Sequence, residues 1–432
     1  MSPARSSAAE FGARLREHRR SRGLSQCDLG GDRFTGSYIS HLESGRRTAN
    51  REVIEFLAMR LGVKAEELGM TSPLAMPGDI DERSVEALEH LLVAERAWHD
   101  REWGTAASLA ARAASAAAAS GQRERHWEAL YVQAQAHDAE GRYVEAAALA
   151  QELAEHSVAA RSKTLRAQAL SLASTAYRSS DQLAAAVATA AQAVELSDNA
   201  APIILADALM SLISAMLEAG RPTEQTQALV TRLSDVALHV ESEHVRGVIS
   251  WTLGTVEYRA GHPEAGRALH ERALTLISPR RDLRMWLRLH RVIATNRLEV
   301  GDAGGVAELL TKARAGLNLV GNPYDLFELA HAEALLASVE GRDEEAAALI
   351  VAALADPVLA EPAATSGRIH ELLGSILERL GRVPEALEAY EHAAATYDQQ
   401  DQFRRANACW HRVSLLRRGE SEIGAKEPSQ IT

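Results

Sequence analysis

One short phrase recurs along this chain at a nearly constant interval, and the recurrence constrains the fold more than any other feature. It reads EGRYVEA at 140, SSDQLAA at 179, AGRPTEQ at 219, AGHPEAG at 260, VGDAGGV at 300, EGRDEEA at 340 and LGRVPEA at 380. The turn residues Gly141, Ser180, Gly220, Gly261, Gly301, Gly341 and Gly381 lie 39, 40, 41, 40, 40 and 40 positions apart. A degenerate earlier copy stands at HDREWGTAA, 99–107. A fixed period of this size marks a repeat architecture, in which one unit cannot bury its apolar face alone and neighbours must stack.

Each unit reads as helix, tight turn, helix. The helix before the turn is apolar on one face, as in Ile204, Leu205, Ala208, Leu209, Leu212 and Met216. The helix after it is small and Ala-rich, as in Ala146, Ala147, Leu149, Ala150 and Leu153, so neighbouring helices can approach closely. The turn glycine supplies a left-handed conformation. An all-α chain follows, with about eight hairpins of roughly 40 residues stacked over 81–419 into a solenoid with a concave surface. Phe403–Arg418 is the expected capping helix. Residues 71–80, TSPLAMPGDI, read as a Pro/Gly linker, and 1–9 and 420–432 as disordered ends.

Residues 10–70 form a separate domain, read as five short helices. Phe11, Leu15 and Arg19 fall at helical spacing, and Gly23 ends that helix. Ser25 caps a second helix over 26–31, and Thr35 caps a third over 36–44 with Ile39 and Leu42 on its buried side. Val53, Ile54, Leu57 and Leu61 form the stripe of a fourth, and Leu68 closes a fifth. Charge separates the two parts. Residues 1–51 hold ten Arg against five acids, a balance of +5, whereas the chain as a whole carries −12. The other 381 residues therefore carry −17. A basic head on an acidic body suits a nucleic-acid reader joined to a separate module.

The string GLSQCDLGGDRFTGSYISHLESGRRT is similar to the helix-turn-helix of the phage-repressor family (Cro/C1, or XRE). Its pattern is carried by Gly23, Leu24, Ser25, Gln26, Leu29, Gly30, Thr35, Ile39, Ser40, Leu42, Glu43 and Gly45. The resemblance implies that the third helix enters the major groove of DNA. It sets Thr35, Gly36, Ser37, Tyr38 and His41 toward DNA, with Gln26, Arg46 and Arg47 placed for phosphates. The turn is one residue shorter than in the best-known phage repressors. Gly36 stands where many members carry a long base-reading side chain, so direct readout falls to Ser37, Tyr38 and His41. Gly30 stands where the family prefers Ala, because the second and third helices pack closely there.

The phrase G-x-x-x-E-A-x-x-x-x-x-x-A-L resembles tetratricopeptide repeats, clearest at Gly381, Glu385, Ala386, Tyr390 and Ala393. That resemblance implies a right-handed superhelix. A lengthened repeat behind a phage-repressor-like head resembles the peptide-gated quorum-sensing regulators of the RRNPP group. In such arrays the groove is lined by the first helix of each hairpin. Ten residues before each turn residue stand Tyr131, Leu170, Met210, Trp251, Arg291, His331 and Glu371. Asn296 and Asn407 are the Asn residues on first helices, and the resemblance implies an Asn role in holding an extended peptide, since one amide donates and accepts at once. The candidate effector contacts are thus Tyr131, Trp251, Arg291, Asn296, His331 and Asn407. Trp127, Trp251, Trp286 and Trp410 also read as packing residues.

No Gly-rich phosphate loop before Lys-Ser/Thr, no HExxH and no G-x-S-x-G occurs, so neither catalysis nor a cofactor is expected. His239 and His244, with no Cys nearby, read as solvent-facing rather than metal ligands. Cys27 and Cys409, the two cysteines, suggest a reducing compartment rather than a disulfide framework. The chain shows no apolar signal core and no run of 18 apolar residues, which together suggest the cytoplasm and no membrane partner. The expected function is a transcriptional regulator that binds operator DNA as a homodimer and responds to a peptide or small-molecule effector. The alternative is a scaffold whose repeats hold a partner protein while the head tethers it to DNA.

Overall fold

The structure is a computed structural model that describes residues 3–47, 49, 51–63, 67–68, 81–221, 223–359 and 366–419. The chain divides into two compact units, Met1–Glu82 and Arg83–Thr432. Among the described residues every regular element is helical. The expected linker over 71–80 and tail over 420–432 lie outside the described residues, as does most of the expected fifth helix around Leu68.

The head contains α1 (Pro3–Ser21), α2 (Gln26–Gly30), α3 (Gly36–Glu43) and α4 (Arg51–Leu61). Its start corrects the sequence reading, which left 1–9 outside the domain. Proline is compatible with a first helical turn and Ala8 and Ala9 are strong helix formers, so α1 runs on from Pro3. The expected caps are in place. Ser25 accepts the Asp28 N–H at 3.1 Å while the Asp28 carboxylate accepts the Ser25 N–H at 2.8 Å, a capping box. Thr35 accepts the Tyr38 N–H at 3.3 Å. Phe11, Leu15, Leu29, Ile39, Leu42, Val53, Leu57, Leu61 and Leu68 fill one core. α1 crosses α3 almost backbone to backbone, because a Cβ at Gly12 would sit 2.4 Å from the Leu42 carbonyl oxygen.

The body is a succession of helix pairs. They are α5 (Glu82–His99) with α6 (Trp103–Ala119), α7 (Arg123–Glu140) with α8 (Tyr143–Glu155), and α9 (Lys163–Ser179) with α10 (Leu183–Leu196). Next come α11 (Pro202–Glu218) with α12 (Thr223–Ala237), α13 (Glu243–Arg259) with α14 (Pro263–Leu276), and α15 (Leu283–Glu299) with α16 (Val306–Val320). α17 (Pro323–Val339) with α18 (Asp343–Ala355), and α19 (Gly367–Arg379) with α20 (Val383–Gln399), precede a closing helix, α21 (Phe403–Arg417). Second helices bury alanine against first helices, as at Ala146, Ala147 and Ala150 of α8.

The turn glycines take positive φ, from 64° at Gly220 to 97° at Gly141. One sequence assignment shifts. The left-handed residue of the third pair is Asp181, with φ 58°, and not Ser180, which caps α9. Asp tolerates this conformation better than most residues, because its short side chain can bond locally. The beat then reads Arg101, Gly141, Asp181, Gly220, and Arg101 is itself left-handed at φ 64°.

The stack curves far enough to meet itself. Arg284 of α15 donates from Nη1 to the Ala139 carbonyl at 2.6 Å, across 145 positions of chain. Asn322 donates to the same carbonyl at 3.3 Å and to the Tyr143 hydroxyl at 3.4 Å. Tyr143 and Tyr324 meet edge to face at 5.3 Å. The turn between α7 and α8 is thereby clasped to the start of α17, and the concave side becomes a partly enclosed space.

Arg101 is the place where the repeat departs most from what its geometry asks. A left-handed non-glycine residue carries a cost of roughly 1–2 kcal/mol, and its Nη1 has no hydrogen-bond partner. Arg101→Gly should therefore raise the melting temperature of the full chain, by about 1 kcal/mol in stability once the greater freedom of unfolded glycine is counted. Arg101→Ala, which keeps the Cβ, should not; equal effects would remove backbone strain as the cause.

Candidate functional site

The head presents α3 and the residues after it. Thr35, Ser37, His41, Arg46 and Arg47 are exposed, and Tyr38 is half-buried. The Tyr38 ring stacks on Phe34 at 5.0 Å and 16°, and the Arg47 guanidinium lies over it at 4.9 Å. Tyr38 therefore packs on the domain surface while it steers Arg47. Gly36 has a physical reason to lack a side chain, since an added Cβ would come within 2.7 Å of the Cys27 sulfur. At Gly30 an added methyl would touch Ile39 and Phe34 at 3.5 and 3.6 Å, which is ordinary contact, so the alanine of the resembled family fits.

Gln26 is not wholly free for a phosphate. Its Nε2 donates to Glu43 Oε2 at 3.0 Å. Glu43 also accepts a two-pronged bond from Arg19, Nε to Oε1 at 2.5 Å and Nη2 to Oε2 at 2.9 Å. Arg19 Nη1 reaches the Leu24 carbonyl at 2.8 Å. One carboxylate thus joins α1, the turn after it, α2 and α3. Arg19 and Glu43 are both buried. Burial opposes ionisation of Glu43, but the bonds from Arg19 and Gln26 outweigh it and hold the carboxyl below its usual range. Both residues stood in the sequence pattern without a role. The signal was a Glu on the same helical face as Ile39 and Leu42, where only a satisfied charge can stand.

In the body, the first helices α7, α9, α11, α13, α15, α17 and α19 contribute to a cavity of about 590 Å³. Of the six predicted effector contacts, Tyr131, Trp251, Arg291 and Asn296 line it. Asn296 is buried and donates to the Thr255 hydroxyl at 3.2 Å, leaving its amide oxygen and second N–H for other partners. His331 and Asn407 are not among the lining residues. His331 stands beside Glu328, where burial and the Arg368 charge push its imidazole down to about 4. Asn407 is exposed on α21, because Ala406, Cys409, Val413 and Leu416 take that helix's inward face. Trp127 is core, its indole donating to the Leu153 carbonyl at 3.1 Å.

The charges lining the cavity are mostly matched, and the repeat does the matching. Arg178 pairs with Glu218 at 2.6 Å and Arg259 with Glu299 at 3.2 Å, each 40 positions apart. Both pairs stand two or three residues before the left-handed residues of consecutive turns, a regularity present in the sequence but unused in its reading. Glu328 accepts from Arg368 at 2.6 Å and Arg291 at 3.0 Å. Burial raises the cost of its charge, yet Arg368 and Arg291 hold it ionised, down to about 2. Asp325 accepts from Arg284 at 2.6 Å and from Arg288. Asp207 differs. It lines the cavity with no hydrogen-bond or ionic partner among the described residues, and enclosure raises its carboxyl to about 6.

Residues 10–69 match the family model described as a helix-turn-helix domain. No curated protein matches the chain. Several solved structures do. A Rap protein complexed with competence and sporulation factor is 11% identical with a TM-score of 0.47, covering 97% of this chain and 99% of its own. The apo form of the quorum sensor NprR from B. thuringiensis is 10% identical at a TM-score of 0.43, covering 94% and 98%. PlcR from Bacillus thuringiensis, in complex with the peptide PapR7 and DNA, is 12% identical at 0.28, covering 93% and 99%.

The Arg19–Glu43–Gln26 junction has a definite pH signature. Because the folded Glu43 titrates below its unfolded value, its contribution is complete above the ordinary carboxylate range and is lost as pH drops through that range to the lowered folded value. Hydrogen exchange of head amides, corrected for intrinsic rates, should show that loss in the full chain. Glu43→Gln should flatten the pH dependence and cost about 3 kcal/mol at neutral pH by leaving Arg19 unpaired. An unchanged pH profile in the variant would show the junction to be inert.

Proposed function

We propose that the protein is a DNA-binding transcriptional regulator whose activity is set by a short peptide held in the groove of its repeats. The reading is carried by one observation, a helix-turn-helix domain over 10–69 in the same chain as a partly enclosed cavity lined by polar and charged as well as apolar side chains. α3 enters the major groove with Ser37 and His41 toward base edges. Arg46, Arg47 and the free part of Gln26 meet phosphates, and the +5 balance of residues 1–51 favours approach to DNA. One small head reads a half-site, so two copies bind together. The place of action is the cytoplasm; among the described residues no helix is long and apolar enough to cross a membrane.

The cavity has the size of a ligand site, which commonly lies between roughly 300 and 1,000 Å³. It offers what an extended backbone needs. Asn296 donates and accepts, while Thr175, Thr252 and Thr295 give their hydrogens to their own helices and keep oxygens as acceptors. Asp207, near the aromatic Tyr131, favours a cationic or neutral peptide over an anionic one. Glu218, Glu299, Asp325 and Glu328 are committed to arginines, which suits binding rather than catalysis.

Two measurements test the reading. Sequencing DNA pulled down with the protein should yield a bipartite site. On that site Arg46→Ala with Arg47→Ala should lower affinity across all sequences and reduce the salt slope by about two, while Ser37→Ala and His41→Ala relax specificity. Unchanged binding in the arginine variant would refute the DNA assignment. Culture-derived peptides should raise the melting temperature of the wild type and not of Asn296→Ala. A co-purifying protein with no peptide response would instead make the repeats a scaffold.

A further inference from the structure

We infer that His270 is a positioning residue for the groove: through the Thr255 hydroxyl it fixes the side-chain amide of Asn296, the group that meets an occupant's backbone. His270 stands on α14 and is not among the residues that line the cavity, whereas Thr255 and Asn296 are. The use of this arrangement rests on the peptide reading, but the arrangement itself is measured without a peptide.

The residue is an exception within the repeat. Nine residues after the left-handed residue of the turn, the other second helices from α8 to α20 carry Ala150, Ala190, Leu229, Leu310, Ile350 and Tyr390. His270 is the one imidazole in that register, and it is 1% exposed. Two glycines make room for it. A Cβ at Gly254 of α13 would lie 2.4 Å from His270 Cδ2. One at Gly266 would lie 2.5 Å from Cδ2 of Tyr258, whose ring stacks on the imidazole at 5.2 Å and 23°. Glycine inside a helix is unfavourable relative to alanine, so a core made for packing alone would favour alanine at these places.

The chemistry of the ring accounts for the exception. Burial pushes the imidazole down to about 4, so at neutral pH it is uncharged and carries one N–H. Nε2 is the partnered nitrogen, 3.4 Å from Thr255 Oγ1, and Nδ1 has no partner. The ring also bonds the Trp251 carbonyl. A carbonyl only accepts, so Nε2 bears the hydrogen. Thr255 donates to the same carbonyl at 3.2 Å and accepts from Asn296 Nδ2 at 3.2 Å. A hydroxyl has one hydrogen and two lone pairs. With its hydrogen on Trp251 and the His270 N–H on one lone pair, Thr255 meets Asn296 only as an acceptor. The amide is thereby fixed with its oxygen and second N–H left for the groove. Without the His270 N–H, the hydroxyl can turn its hydrogen to the Asn296 oxygen, and the amide is free to flip.

The experiment is nitrogen-15 NMR of the full chain, labelled at His in one sample and at Asn in another. The two signals are assigned by their loss in His270→Gln and in Asn296→Ala. In the wild type His270 should be the neutral Nε2–H tautomer, unchanged from about pH 8 to about pH 6 while exposed histidines titrate. The Asn296 N–H turned to Thr255 should exchange with water about fivefold faster in His270→Leu, as loss of one hydrogen bond requires. His270→Gln, whose amide donates in place of the ring, should keep the wild-type rate. Thr255→Val should exchange as fast as His270→Leu, and combining the two should add nothing. Circular dichroism confirms folding, and the tautomer is read on the wild type even where a variant does not fold. The Nδ1–H tautomer, or equal exchange in wild type and His270→Leu, overturns the inference. So does a His270→Gln that behaves as His270→Leu, since shape and not donation would then matter. Culture-derived peptides should stabilise the wild type and His270→Gln but not His270→Leu. If the NMR results hold and these peptides leave even the wild type unmoved, the peptide reading fails and the positioning of Asn296 stands.

Discussion

Arg284, Asp325 and the Ala139 carbonyl meet at the junction on which the shape of the body depends. A stack of hairpins with a curved inner wall is open to water along its whole length. Here the wall is closed because α15 and α17 reach back to the turn between α7 and α8. Closure changes the electrostatics of everything inside, since charges in an enclosed space act more strongly on each other than at an open surface. Two carboxylates on that inner wall show the result. Glu328, between two arginines, is held to about 2, while Asp207, with none, rises to about 6. The same enclosure moves them in opposite directions, and the presence of a partner decides which way.

The repeat was legible in the sequence, and the closure was not. Turn residues mark the period directly, because a left-handed position admits few residue types. The exception is instructive. Ser180 looks like the turn residue by alignment with the glycines, yet the left-handed φ belongs to Asp181. Closure depends on a small rotation accumulated over many hairpins, and residues 183 positions apart carry no local signature of meeting. Among the groove residues, counting back from the turns found Tyr131, Trp251 and Arg291. Asn296 was found as an Asn on a first helix. Asn407 was placed by the same rule and is wrong for the groove, because the rule assumes a following repeat to turn the helix inward, and α21 has none.

In the head, the motif fixed more than positions. Glu43 stood in the motif with no role assigned to it, yet it is the acceptor that three segments share. A charged residue can stand on a buried face only if its bonds are complete. Arg19 supplies two of them and Gln26 a third. The same economy of space explains Gly36. The space that a Cβ at position 36 would need is taken by the Cys27 sulfur. Sequence alone showed the missing side chain, and packing shows why it is missing.

The clasp itself is incompletely satisfied, and that bears on how a groove occupant and the shape of the body are linked. Asp138 Oδ1 and Arg284 Nη2 are both buried there without a hydrogen-bond partner. A buried polar group left unbonded costs roughly 1–3 kcal/mol, so the closed arrangement is less stable than one with every group paired. Closure is held by a few strong bonds against that cost. An occupant that touches both α7–α11 and α15–α19 can do so only while the ring is closed. Its binding free energy then adds to the closed state and not to an open one, and by linkage whatever loosens the clasp also weakens the occupant. The geometry of the groove and its affinity are in this sense one quantity, fixed by the junction at Ala139.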